Sequence, residues 1–361
     1  MEVKKIKYNE LPVITFRWLR VNDLKLMELK PESLNYTKDY IKSGTNHLQP
    51  LTNADVADFL GSYKGTNETE LELVLDRASV RNHIVSSQEE DLVNFSYDLS
   101  RLSNLLELNT IEVRENETLN VLMEYTGDET AEFASTLNLI KVAPGGTLNL
   151  CKVNLLPHSV RHIEQRYANV SSEGTVNYIS IELGARETII NYLTDLSGAE
   201  SKGHLKSIYI GNEDRIIDLY HQMSHWGKKS TCDMEIRGAL TDRAKKYFRG
   251  TLDFKKGSAQ SEGGEVETVM LLNKEVKSFA IPLLLCGEHD VIGNHAASAG
   301  QIDEEKLFYL MSRGFSREAA KQIIVESAFR PIIDSLPTED LKHKILARVD
   351  QLMKKVTHLD A

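Results

Sequence analysis

The chain has 361 residues, 41% of them apolar and 27% charged, with a formal net charge of −10 and a pI near 5.6. That length supports two or three structural parts around a substantial core, and the acidity argues against nucleic acid or an anionic membrane as the main partner. No stretch approaches the ~20 consecutive apolar residues needed to cross a bilayer, and the start, MEVKKIKYNELPVITF, has no apolar run long enough for a signal peptide.

Residues 1–105 read as a mixed, mainly helical region. Asn53 to Leu60 and Glu89 to Leu105 carry apolar residues at three- and four-residue steps. In the second piece these are Leu92, Val93, Phe95, Leu99, Leu102 and Leu105, with Ser86 and Ser87 placed to cap it. The period changes after Leu106. Residues 106–298 are a procession of short β-prone runs broken by Gly, Asn and Asp, among them TLNLCKVNLL, TVNYISIELG, LKSIYIGN and KSFAIPLLLC. Alternation is clean at Ile208 with Ile210 and at Met234 with Ile236. So many strands without amphipathic helices between them argue against a βαβ sheet. Asn-Gly and Asp-Gly hairpin turns are nearly absent. On pattern alone, the stacked coils of a parallel β-helix and a β-sandwich both remain open.

Residues 299–361 are helical and well punctuated. Asp303 caps a first helix reaching Arg313, Gly314 ends it, Ser316 caps a second, and Pro337 with Thr338 separates a third. Pro331 should kink or end the second helix after Arg330. Leu341, Ile345, Val349, Leu352, Met353 and Val356 form one apolar stripe on the last.

Chemistry concentrates between Cys286 and Arg330. His295 sits in a Gly/Asn/Ala/Ser turn whose small neighbours leave room for a metal or a second chain. On the residues alone, the same histidine reads first as a structural residue satisfying backbone groups in a strand-to-helix turn. The run Cys286, Gly287, Glu288, His289, Asp290 looks like a metal cluster. Strand alternation, however, sends His289 to the opposite side from Cys286, Glu288 and Asp290. Cys286 follows the apolar Pro282 to Leu285 and reads as a buried packing thiol, with His289 a secondary ligand candidate. The other cysteines, Cys151 and Cys232, lie in β-prone runs and read as packing residues. No pair of the three has C-x-x-C spacing, so neither a disulfide framework nor a structural zinc site is encoded, and a reducing cytoplasm fits best. His221 and His225 read as structural. Glu262, Glu265 and Glu267 look like a solvated turn in and after the Gly-rich GSAQSEGGE segment, which is not a phosphate loop because no Lys-Ser or Lys-Thr follows. The compact group Leu307, Phe308, Tyr309 and Arg313 either packs the helix onto the β-body or anchors a partner.

The run HAASAGQIDEEKLFYLMSRG, His295 to Gly314, resembles the C-terminal part of the SufB/SufD family, the scaffold subunits of the SUF iron–sulfur cluster assembly system. The family phrase is a His-Gly-Ala-Thr-type turn followed by Gly-x-Ile/Leu-Asp-x-x-x-Leu-Phe-Tyr-Leu-x-Ser-Arg-Gly. TFRWLRVND, Thr15 to Asp23, is similar to the family's Trp-x-x-Leu-x-x-Asn start. The resemblance implies a mainly β fold, a right-handed parallel β-helix flanked by helical segments. It implies a scaffold and not a turnover enzyme, with a transient Fe–S cluster as cargo at a shared interface. His295 matches the histidine that in the SufD branch lies at the SufB contact. Where SufB carries a sulfur-accepting cysteine this chain has Ser278, and where SufB has a glutamate after the histidine it has Ala296. A hydroxyl cannot hold persulfide sulfur, so both departures point to SufD. Implied partners are a SufC-type ABC ATPase, docking over Ser316 to Arg330 with Phe329 as an anchor, and a SufB-type scaffold or a second copy of the chain. No residue here decides for or against a flavin. The rival class is a β-helix carbohydrate enzyme, which needs convergent carboxylate pairs that do not recur at rung spacing.

Overall fold

In the computed structural model, residues 5–15, 21–29, 31, 34, 36–89 and 91–355 are described. Most of the TFRWLRVND run, Phe16 to Arg20, and Val356 at the end of the last stripe lie outside them. From Val80 to Leu271, strands alternate between two sheets, each new strand after the first two pairing in parallel with the one two places earlier in the chain. The result is a parallel β-solenoid of about 8 turns, as the β-helix expectation required. One sheet has nine strands and ends on Val291–Gln301, and the other has ten and ends on Lys277–Ala280, with Leu283–Cys286 beside it.

Residues in register on neighbouring parallel strands point to the same face. Leu150, Tyr178, Leu205, Met234, Glu265 and His295 therefore form one inward column. Facing columns fill the core with Ile190, Leu219, Phe248 and Leu252. Burial of these apolar side chains, worth roughly 1.5–3 kcal/mol each, is what stacks the coils.

At one corner of successive coils the chain turns through a left-handed residue: Asn116, Gly145, Glu173, Glu200, Lys229 and Gln260. Each corner is tied to the next coil, as in Glu173 N–H to the Ala199 carbonyl at 2.8 Å and Glu200 N–H to that of Lys228 at 2.9 Å. Hydrogen bonding between coils offsets the strain of positive φ at Glu and Lys, so hairpin glycines are not needed.

Helices Asn53–Leu60 and Glu68–Arg77 cover the outer face of the ten-stranded sheet through Val56, Phe59, Leu71 and Val74. Helices Glu304–Ser312, Arg317–Ile333 and Glu339–Lys355 cover the nine-stranded sheet over Val153, Ile181, Leu183 and Ile208. Asp303 and Ser316 are their N-caps, and the Thr338 hydroxyl accepts from Leu341 N–H.

Two local expectations are corrected. The helix expected over Glu89–Leu105 is instead strand Leu92–Asp98, followed by the start of strand Leu105–Val113. Val93, Phe95, Tyr97 and Leu99 are fully buried at every second position, while Leu102, which completed the helical pattern, is exposed. Ser86 accepts from Arg114 N–H instead of capping a helix. Pro331 does not end its helix, which runs to Ile333, because Phe329, Ile332 and Ile333 are fully buried and anchor the final turn.

Candidate functional site at the open end of the coil

The last turn of the solenoid has a described helix on its flank and none over its end. Strand Val291–Gln301 pairs along its whole length with Ser261–Leu271 and, among the described residues, has no partner on its other edge. His295 lies in the middle of that strand, not in a turn as the sequence suggested. Gly, Asn, Ala and Ser serve here as small strand residues because the pairing supplies their backbone hydrogen bonds. His295 is exposed and stands in register with Glu265.

The same geometry places the other candidates. Ser278 is half-buried, in register with Lys246. Cys286 is exposed, which corrects the buried reading: it is in register with the core residue Phe254, but no coil follows to cover it. His289 is exposed in the turn after Cys286, away from His295's strand position, and its N–H donates to Glu288 Oε1 at 2.8 Å. Among the described residues no group of three or more His, Cys, Asp or Glu side chains is arranged to hold a metal ion.

Glu265 and Glu267, read as part of a solvated turn, lie in strand Ser261–Leu271 with their side chains buried. Glu267 takes Lys246 Nζ at 2.7 Å and the Tyr209 hydroxyl at 2.9 Å. Burial pushes the Glu267 carboxyl up and the Lys246 ammonium down, and their mutual attraction opposes both shifts. Among the described residues Glu265 has no such partner. Burial, then the neighbouring charge of Glu267, pushes its carboxyl up to about 8. The missed signal was E-x-E-x-V at 265–269, which puts both carboxylates on the face of buried Val269.

The remaining candidates are packing groups. Burial pushes the Cys151 and Cys232 thiols up. His225 is fully buried between Ser230 and Cys232, and His221 packs tilted against Tyr192 and edge-on to Phe248. On the flanking helices Leu307 and Phe329 are buried in the helix–sheet core, whereas Phe308 is 74% and Tyr309 56% exposed. Arg313 is exposed and lies over the Tyr309 ring at 5.2 Å.

The fold and the site together are a parallel β-solenoid whose last rung is uncovered among the described residues, with an aromatic helix on its flank. A family model for the SUF system FeS cluster assembly SufBD core domain matches residues 73–328, and the chain belongs to that family. It is 26% identical over 201 residues to the iron–sulfur cluster assembly protein SufD of Bacillus subtilis, covering 56% of this chain and 46% of that protein. SufD of Escherichia coli is 26% identical over 236 residues, covering 65% and 53%. A SufBD family protein of Galdieria sulphuraria is 26% identical over 177 residues, covering 49% and 80%. The chain spans about half the length of the first two relatives. Their name, SufD, agrees with the branch to which Ser278 and Ala296 point.

Proposed function

We propose that the chain is a SufD-like scaffold subunit that joins a SufB-type partner, or a second copy of itself, through its open last rung. A nascent Fe–S cluster forms at that junction as transient cargo. The observation that carries this reading is His295, exposed at the centre of an 11-residue strand whose outer edge is unpaired among the described residues. Such an edge is a ready template for strand addition from another chain. Completing the sheet would bring a partner's ligands within reach of the imidazole.

Ser278 cannot carry persulfide sulfur, so the thiolate comes from the partner. The chain carries no phosphate loop, so the driving ATPase is a separate SufC-type subunit in the cytoplasm. It docks on the exposed Phe308, Tyr309 and Arg313, since the buried Leu307 and Phe329 are already used in packing. The chain itself turns over no substrate. His289 stands apart from this site.

The test is cluster yield in an anaerobic reconstitution of the chain with SufB- and SufC-type subunits, comparing wild type with His295→Ala. The exposed side chain can be removed without unfolding, so yield should fall while the complex still assembles. Unchanged yield refutes the assignment.

A further inference from the structure

Five inward-facing glutamates line the solenoid interior, and four are satisfied. Glu107 accepts from Tyr97 at 2.5 Å and Tyr125 at 2.8 Å, and Glu164 from Tyr192 at 2.6 Å. Glu182 accepts from Ser180 at 2.7 Å, and Glu267 is held by Lys246 and Tyr209. Glu265 is the exception: it is fully buried, and neither carboxyl oxygen has a hydrogen-bond partner among the described residues. A buried polar group left this way costs about 1–3 kcal/mol, and such an exception calls for a specific cause such as an ion.

The surroundings of that carboxyl are made for it. It reaches across the core to the ten-stranded sheet, where Gly250 leaves it space; a Cβ there would lie 2.1 Å from either oxygen. Directly above, its register neighbour is His295 on the last strand. Neighbouring strands are about 4.8 Å apart, so a carboxylate and an imidazole share one inward column at the uncovered end. The roof over this spot is also interrupted. The last coil pairs with Lys245–Phe248 and again with Thr251–Phe254, and its pairing lapses around Gly250, where the chain carries Ile281 and Pro282. Around His295 the strand offers only Gly293, Ala297 and Ala299 on the same face, so no bulky side chain flanks the imidazole.

We infer that Glu265 is a second donor, beneath His295, for a first-row divalent cation seated in the last rung. The inference rests on the reading of His295 as the cluster-facing residue. One carboxylate and one imidazole suit Fe²⁺ or Co²⁺, and two protein donors leave the other coordination positions open to water, sulfide or a partner.

The experiment is anaerobic titration of the full-length chain with Co²⁺, followed by visible d–d absorption and calorimetry, for wild type, His295→Ala, Glu265→Gln and Glu265→Asp. Wild type should take up one Co²⁺. His295→Ala and Glu265→Gln should each weaken it by at least the roughly 10–100-fold that loss of an outer partner already costs. Glu265→Asp keeps the charge but withdraws the carboxylate by one methylene, and should weaken uptake too, which separates geometry from charge and guards against misfolding of the amide variant. Circular dichroism checks each fold. Uptake by Glu265→Gln equal to wild type overturns the inference, as does absence of uptake by wild type. The reading of His295 is judged separately, by cluster yield in the reconstituted complex.

Discussion

Lys152 sits at the centre of a buried charge cluster in the solenoid interior. Its ammonium lies 2.5 Å from Glu182 Oε1 and 3.0 Å from Glu164 Oε2, and no member of the group is more than 1% exposed. Arg166 adds a contact to Glu164 at 2.6 Å. Burial alone would raise the Glu164 carboxyl, yet Lys152 and Arg166 together hold it well below its ordinary range. Replacing Lys152 with Met keeps the volume and removes the cation. Glu182 is then left with only Ser180 and Asn154 as partners, and Glu164 with Arg166, Tyr192 and Asn138. Breaking one side of a buried ion pair costs about 3–5 kcal/mol, whereas replacing both sides by apolar groups is often neutral. Lys152→Met should therefore lower the unfolding free energy by about that amount, seen as a lower urea midpoint at unchanged slope, and Lys152→Met with Glu182→Leu should recover most of it. Far-UV circular dichroism at neutral pH reads both. A single-variant loss below about 1 kcal/mol, or a double variant no better than the single, would refute the view that these charges are desolvated and coupled.

Two further outcomes are expected. Burial pushes His221 down to about 3 and His225 to about 4 from an ordinary 6.5. The unfolded chain binds protons below about 6.5 that the folded chain refuses, so stability is full above that pH and is lost as pH falls toward 4. His221→Phe, set among Tyr192 and Phe248, should flatten this decline in Tm against pH; a level wild-type profile would contradict the assignment. Phe308→Ala should leave Tm nearly unchanged, since the ring is largely exposed, and should weaken binding of a SufC-type ATPase by about tenfold or more. Unaltered affinity in a surface-binding assay would remove this helix from the docking surface.

Much of the candidate site was legible in the chain. The run from His295 to Gly314 marked the region, and the caps Asp303 and Ser316 lie where the sequence put them because capping is a local hydrogen bond. Whether a residue there is covered was not legible. Cys286 has the inward register of a core residue and is exposed, and Glu265 has the look of a loop residue and is buried. The coil corners were hidden for a related reason: left-handed Glu173, Glu200 and Lys229 are stabilised by hydrogen bonds to the next coil, which leave no Gly or Asn signature.

By itself the sequence determined the elements whose signals are short-range: alternating β-runs after Leu106, three capped helices at the end, and the apolar stripe through Leu341, Ile345 and Val349 that packs the last of them. Tertiary structure alone decided which coil is last. Position in the stack is a matter of pairing between residues about thirty apart, such as Glu265 with His295, and it leaves no trace within the segments themselves. That pairing sets an imidazole on an open edge above a buried carboxyl.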